Sequence, residues 1–406
     1  MSRKKKIVFT VAAALLFLLF AEAVARFAVN YGNRLGNFER RKTFEAYQDK
    51  EWAGQYFEDI EDCAAQRGKR PGRFVRYLMF DLGPDCATQT VNYAGGTRKT
   101  WEPEIVPDDK AKIYKIGMFG GSTMLGLGTP DDLTIPSHLS RLLHEAGGKD
   151  VRYLVANHGA SSYDFTQSLM KLVLLLREGE RFDYVIFYGG TNDIDNSYEA
   201  GRAGALYAEK AIRNKLEGGL RGQLREFIKD QLNSCGLCKG LAVLSRNTPF
   251  LEERFTPFLV RARDFIHFKE GAGESEGDIA RFAEEIAANY RQSHDLLAAL
   301  ARAYGFRYAE FLQPTLLYND RPVGGEEIIR NVDTRLSDEK LLTLYRETYE
   351  KLLAMRLANF FDTSDSLLGR QKAFYVDAVH INDEGNAAVA ERVFAALKKE
   401  LGLQAE

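Results

Sequence analysis

The sequence has little of what would mark several broad classes. After the first thirty residues there is no second apolar run of spanning length, so a multi-span membrane protein is excluded. No internal repeat and no low-complexity tract is present, which leaves a folded globular part. Neither charge dominates: 55 Lys and Arg stand against 57 Asp and Glu, for a net charge of -2. That balance argues against a general nucleic-acid binder. Histidine is scarce, at six residues. His138, His144, His267 and His294 fall in helical patterns that read as solvent-facing, and no two show a metal-ligand spacing, so no metal site is expected.

Cysteine is also scarce. The four are Cys63, Cys86, Cys235 and Cys238. Four cysteines allow three pairings, and sequence does not choose between them. The expectation adopted is Cys63–Cys86 and Cys235–Cys238. A redox role for Cys235-Gly236-Leu237-Cys238 lacks the surrounding βαβ pattern, and a zinc site would need two further ligands.

What the chain does have begins at its amino terminus. Lys4, Lys5 and Lys6 precede an uncharged apolar run, Ile7–Ala21, which Glu22 and Arg26 interrupt before Val29. A basic start followed by such a run reads as a signal peptide or a signal anchor. Ala23-Val24-Ala25 would serve as a cleavage site; the extension to Val29 favours an uncleaved anchor over residues 1–30. The positive-inside rule then keeps the lysines in the cytoplasm and places the rest of the chain outside it.

Three segments carry chemistry. Lys115–Gly128, KIGMFGGSTMLGLG, is a β-type run that ends in Gly120, Gly121 and Ser122. Val185–Asn196, VIFYGGTNDIDN, is a second apolar run ending in glycines, followed by Asn192. Asp377–His380, DAVH, closes the set. A strand that stops on small residues holds a serine at the carboxyl edge of an α/β sheet, where ligands bind. Ser122 as nucleophile, His380 as base and Asp377 as the group orienting the imidazole supply an acyl-transfer site. Asn192 has an amide that can donate to an oxyanion, and Asn157-His158-Gly159 offers the Gly159 N–H as a second donor. His158 reads as structural.

This pattern resembles the SGNH superfamily, the GDSL-type esterases and acyltransferases. Ser122, Gly159, Asn192 and His380 match its four blocks in order, across roughly residues 112–198 and 305–400. One departure is visible: the usual Gly-Asp-Ser reads Gly120-Gly121-Ser122, which alters how the turn is braced. The resemblance implies a three-layer αβα, flavodoxin-like fold with a parallel sheet. It also implies oxyanion donors from Ser122, Gly159 and Asn192, and no cofactor. Gln313, at a strand end beside a proline, is a candidate substrate contact, and Val91–Thr100 resembles a segment that precedes the serine block in anchored members. Arg98 within it reads as structural.

The expected organisation is an anchor over 1–30, an irregular extension over 31–111, and an SGNH-type domain over 112–402 with a mostly helical insertion at about 198–277. The expected activity is a serine esterase on an O-acyl, chiefly O-acetyl, ester of a cell-envelope or exported polysaccharide, held to the membrane by its amino-terminal helix. The alternatives are an O-acyltransferase to a sugar hydroxyl, and a non-catalytic carbohydrate-binding protein on the same fold. Oligomeric state is open.

Overall fold

The computed structural model describes residues 20–25, 45–66, 72–104, 111–147, 151–217, 276–318, 322–327, 333–369 and 371–401, with isolated positions beside them. The chain divides into two compact units. Met1–Arg41 with Ala208–Glu270 form one; Lys42–Tyr207 with Gly271–Glu406 form the other, which holds the sheet and every site residue below. Cys235, Cys238, most of the expected helical insertion and most of the expected anchor lie outside the described residues. Among the described residues no helix is long and apolar enough to cross a membrane.

The second unit opens with helix α1 (Ala53–Gln66). Five short strands follow: β1 (Gly72–Arg73), β2 (Asp81–Leu82), β3 (Cys86–Ala87), β4 (Asn92–Ala94) and β5 (Thr97–Arg98). The alternating part then runs β6 (Lys112–Gly120), one-turn helix α2 (Ser122–Leu125), α3 (Ile135–Ala146), β7 (Val151–Asn157), α4 (Phe165–Arg177), β8 (Tyr184–Gly189) and α5 (Thr191–Ala200). In the first unit Glu209–Glu217 forms α6. The second unit resumes with α7 (Glu276–Tyr304), β9 (Arg307–Leu312), α8 (Glu339–Ala354), β10 (Phe360–Asp362) and α9 (Asp383–Leu401).

The main sheet has eight strands in the order β10-β9-β8-β6-β7-β5-β4-β3. The strands from β10 to β7 pair parallel, in the flavodoxin-like order. β8 and the second half of β6, Ile116–Gly120, are buried without alternation because helices cover both faces. One face carries α4, α7 and α8, through residues such as Leu172, Ile286 and Leu344. The other carries α3 and α9, through Leu139 and Val393. Thr134 and Asp164 set the starts of α3 and α4: each side chain accepts the N–H three residues on.

The expected parallel sheet is extended at one edge. The extension adds β5, β4 and β3 antiparallel to the edge, where Arg98 pairs with Asn157. Hairpin-linked strands can join only antiparallel, and strands of two or three residues are too short to show alternation. The extension is tied down by the Cys63–Cys86 disulfide between α1 and β3. It is also held by the buried Lys171–Asp81 pair, at 2.8 Å, from α4 to β2.

Candidate active site

The parallel strand order reverses at β6, flanked by β8 and β7. That switch point is where open α/β sheets bind ligands. β6 ends at Gly120, Gly121 caps α2, and Ser122 is the first residue of the helix. Its N–H is therefore among those with no acceptor inside the helix. A helix of one turn needs a left-handed residue to stop it, and Gly126 supplies this with φ 83°.

The carbonyls at the end of that turn are clamped from the extension. Arg98 is 1% exposed. Its Nη1 donates to Leu125 O at 2.9 Å and Gly126 O at 2.6 Å, and its Nη2 to Thr129 O at 2.6 Å. Its Nε donates to Asp131 Oδ1 at 2.9 Å. Arg98 thus holds the backbone just behind the nucleophile turn and lies off the reacting atoms.

Ser122 Oγ is 2.7 Å from His380 Nε2, and His380 Nδ1 is 2.6 Å from Asp377 Oδ2. The other carboxylate oxygen, Oδ1, accepts the N–H groups of Val379 and His380, both at 2.8 Å. Burial pushes the Asp377 carboxyl up, but the facing His380 and these three hydrogen bonds outweigh it and hold the group well below the usual carboxylate range. An ionised Asp377 accepts from Nδ1–H, which leaves Nε2 as the acceptor for the Ser122 hydroxyl. Three groups expected from sequence to act together are hydrogen-bonded in series.

Asn192 lies in the first turn of α5, which Gly190 launches from β8 with φ 110°. Its Nδ2 donates to Tyr163 O at 2.9 Å. A Cβ on Gly121 would overlap that Nδ2. The glycine that replaces the familiar aspartate therefore makes room for the Asn192 amide against the nucleophile turn. Ser162, next to Tyr163, adopts φ 62°, and its carbonyl accepts from Asn196 Nδ2 at 3.0 Å. No sequence pattern points to this left-handed serine.

Two expectations are corrected. The Gly159 N–H donates to Asn157 Oδ1 at 3.0 Å, so the structure does not present it as an oxyanion donor. Gly159 is needed for packing, since a Cβ there would overlap the backbone of Leu125 in α2. Gln313 is 1% exposed and cannot touch substrate as placed. Its Oε1 accepts from Thr123 Oγ1 at 3.0 Å, which makes it a support behind the residue next to Ser122.

One histidine, His294, differs from the solvent-facing expectation. His294 is buried, with Nδ1 2.7 Å from Glu310 Oε1. His158 is buried and stacked on Phe119. Asp193, beside Asn192, is buried, with Oδ1 accepting Phe165 N–H at 3.2 Å. Burial, with a smaller contribution from the Glu310 charge, pushes its carboxyl up to about 7. No group of three or more metal-ligating side chains occurs among the described residues.

A hydroxyl, an imidazole and a carboxylate in series at the switch point of a flavodoxin-like sheet define an α/β ester hydrolase. The model of the GDSL-like lipase/acylhydrolase family matches residues 116–393, and the chain belongs to this family. No curated protein matches the chain. Several solved structures are similar at low identity. One is the acetyl xylan esterase AlAXEase, at 14% identity and TM-score 0.33, covering 70% of this chain and 99% of that one. Another is a lipase/acylhydrolase from Enterococcus faecalis, at 13% and 0.33, covering 72% and 100%. A third is the psychrotrophic esterase EstA from Pseudoalteromonas sp., at 11% and 0.32, covering 71% and 98%.

Proposed function

We propose that the protein is a serine esterase that removes an O-acyl group, chiefly acetyl, from a cell-envelope or exported polysaccharide. The observation that carries the reading is the unbroken chain from Ser122 Oγ through His380 to Asp377, at 2.7 Å and 2.6 Å. Ser122 Oγ attacks the ester carbonyl as His380 Nε2 takes its proton, and Asp377 stabilises the imidazolium. The oxyanion is received by the Ser122 N–H and by the second hydrogen of Asn192 Nδ2, whose first is held by Tyr163 O. The C–O bond to the leaving sugar breaks as His380 returns the proton to the sugar oxygen. Water, deprotonated by His380, then hydrolyses the acyl-enzyme. If a sugar hydroxyl takes the place of that water, the same machinery is an O-acyltransferase.

The test is to incubate the full chain with an activated acetyl ester, with and without candidate glycans, and to follow acetate and acetyl-glycan. Release of acetate that Ser122→Ala abolishes supports the esterase. Ser122-dependent acetylation of glycan without acetate release would replace it with the transferase.

The polysaccharide part of the reading rests on location. The basic start, the apolar run Ile7–Ala21 and the Cys63–Cys86 disulfide support an anchored protein whose catalytic unit lies outside the cytoplasm. A reporter that works only in an oxidising compartment, fused after Glu406, should be active in cells. Activity of a cytoplasmic reporter there instead would overturn this location.

A further inference from the structure

The loop that carries Asp377 and His380 is not a helix or a strand, and the hydrogen bonds within it are few. Asp377 Oδ1 closes a local turn on Val379 and His380, and the Val376 N–H donates to His380 O at 2.9 Å. Nothing in that turn sets its position relative to Ser122 or Asn192. Its outside attachments do. The Ala378 carbonyl accepts from Leu316 N at 3.0 Å and from Thr315 Oγ1 at 2.8 Å, just after β9. The Ala378 N–H donates to Asp333 Oδ2 at 3.1 Å. Upstream, Glu326 Oε1 accepts the N–H groups of Phe374 at 2.6 Å and Tyr375 at 2.8 Å. Two carboxylates from the stretch between β9 and α8 therefore take backbone donors of the segment that leads to the base.

Asp333 does not stand alone. Arg335 binds both of its oxygens, Nε to Oδ1 at 3.0 Å and Nη2 to Oδ2 at 2.7 Å. The remaining arm, Nη1, donates to Asp195 Oδ2 at 2.8 Å. Asp195 is on α5, one turn after Asn192, and its Oδ1 accepts from Tyr345 OH at 2.8 Å. A planar guanidinium with a fixed fork can bridge two carboxylates in one geometry, which a flexible ammonium cannot. The path Asn192–α5–Asp195–Arg335–Asp333–Ala378 N–H thus spans the site, from the oxyanion amide to the turn that holds Asp377 and His380.

We infer that Asp333 and Arg335 are positioning residues for the acyl-transfer reaction: a clip that fixes the spacing between the His380 loop and the Asn192 helix. The inference rests on the esterase reading above. Neither residue touches the reacting atoms. Their effect is on alignment, to which reaction rates are steeply sensitive.

The experiment measures hydrolysis of 4-nitrophenyl acetate by the full chain, with active sites counted by a serine-directed phosphonate. Asp333→Ala and Arg335→Met should each lower kcat per titrated site by about 10–100-fold, with KM changed less than about twofold. In Asp333→Ala the acid limb of the pH–rate profile should move to lower pH, because a looser Asp377 stabilises the imidazolium less. Asp333→Asn keeps an oxygen for the Ala378 N–H but loses one of the two acceptors for Arg335, so it should restore only part of the turnover lost in Asp333→Ala. Counting titrated sites separates misalignment from misfolding, and Arg335→Met tests the clip from its other end. An unchanged kcat per site in Asp333→Ala and Arg335→Met, or a rise in KM alone, would overturn the clip. Failure of the esterase reading looks different: wild type itself would show no turnover that Ser122→Ala removes, and the clip would fall with it.

Discussion

The two sides of the site are built by opposite means. Ser122 follows a strand that is buried in the middle of the sheet, and its turn is fixed by backbone geometry, by Gly126 and by a buried arginine. Asp377 and His380 sit on a loop outside the sheet, and its backbone is held by Thr315 and Leu316 just after β9 and by side-chain carboxylates of the stretch that follows. The nucleophile needs little adjustment once the sheet is folded. The base has to be brought to it, and the contacts that do so are long-range in sequence. Catalysis at this site therefore depends on a rigid half and a docked half, and the two should respond differently to substitution.

The largest effect is expected on the rigid half. Arg98→Met removes the short donor of three carbonyls, leaving Leu125 O with Asn157 Nδ2 at 3.3 Å and Gly126 O with Thr129 at 3.3 Å, and leaves Asp131 buried with only the Asn92 amide, at 2.8 Å, as a side-chain partner. Breaking a buried pair by deleting one partner costs about 3–5 kcal/mol, so denaturant unfolding should show a loss of that size. Arg98→Lys should recover little of it, because an ammonium cannot reproduce the fork. A loss below about 1 kcal/mol would mean that water reaches those carbonyls, and that this half is less rigid than its burial implies.

The difference between the halves is also a difference in what the sequence discloses. Gly120, Gly121 and Ser122 end an apolar run, and so do Gly189 and Gly190 before Asn192. Such signals are local: a strand, a turn and a polar residue within a few positions. The same holds for the Asp377–His380 spacing, in which the carboxylate and the imidazole are three residues apart. The place of the nucleophile follows from these, whereas the flavodoxin-like strand order is what the family resemblance implies. Asp333 and Glu326 give no such signal. Their partners are backbone N–H groups 45 and 48 residues further on, and any acidic residue in a loop looks alike in sequence. Gly159 shows the opposite error. A local match suggested an oxyanion donor, while the orientation of its N–H is decided by the Asn157 side chain two residues earlier. His294 fits a helical pattern, and only the packing of α7 against β9 shows that it is buried on Glu310.

A smaller effect would sharpen the comparison at the floor of the oxyanion side, where Asp193 sits buried beneath the turn that carries Asn192. Burial first, and then the nearby Glu310 charge, raise its folded carboxyl from 3.8 to about 7. The folded state therefore holds a proton that the unfolded state has released. This contribution to stability is complete below the unfolded value near 4 and is lost as pH rises through about 7. One such group gives a slope of at most about 1.4 kcal/mol per pH unit. Asp193→Asn keeps an oxygen for the Phe165 N–H and cannot ionise, so it should flatten the decline between pH 5 and 8 and be the more stable form, relative to wild type, at the upper end. Asp377 acts with the opposite sign: its lowered carboxyl adds stability above the unfolded value and loses it only in acid, outside this window. Denaturant midpoints of both proteins across that range decide the matter. Parallel curves would show that Asp193 is ionised in the folded protein, and that the floor of the oxyanion turn is wetter than its packing indicates.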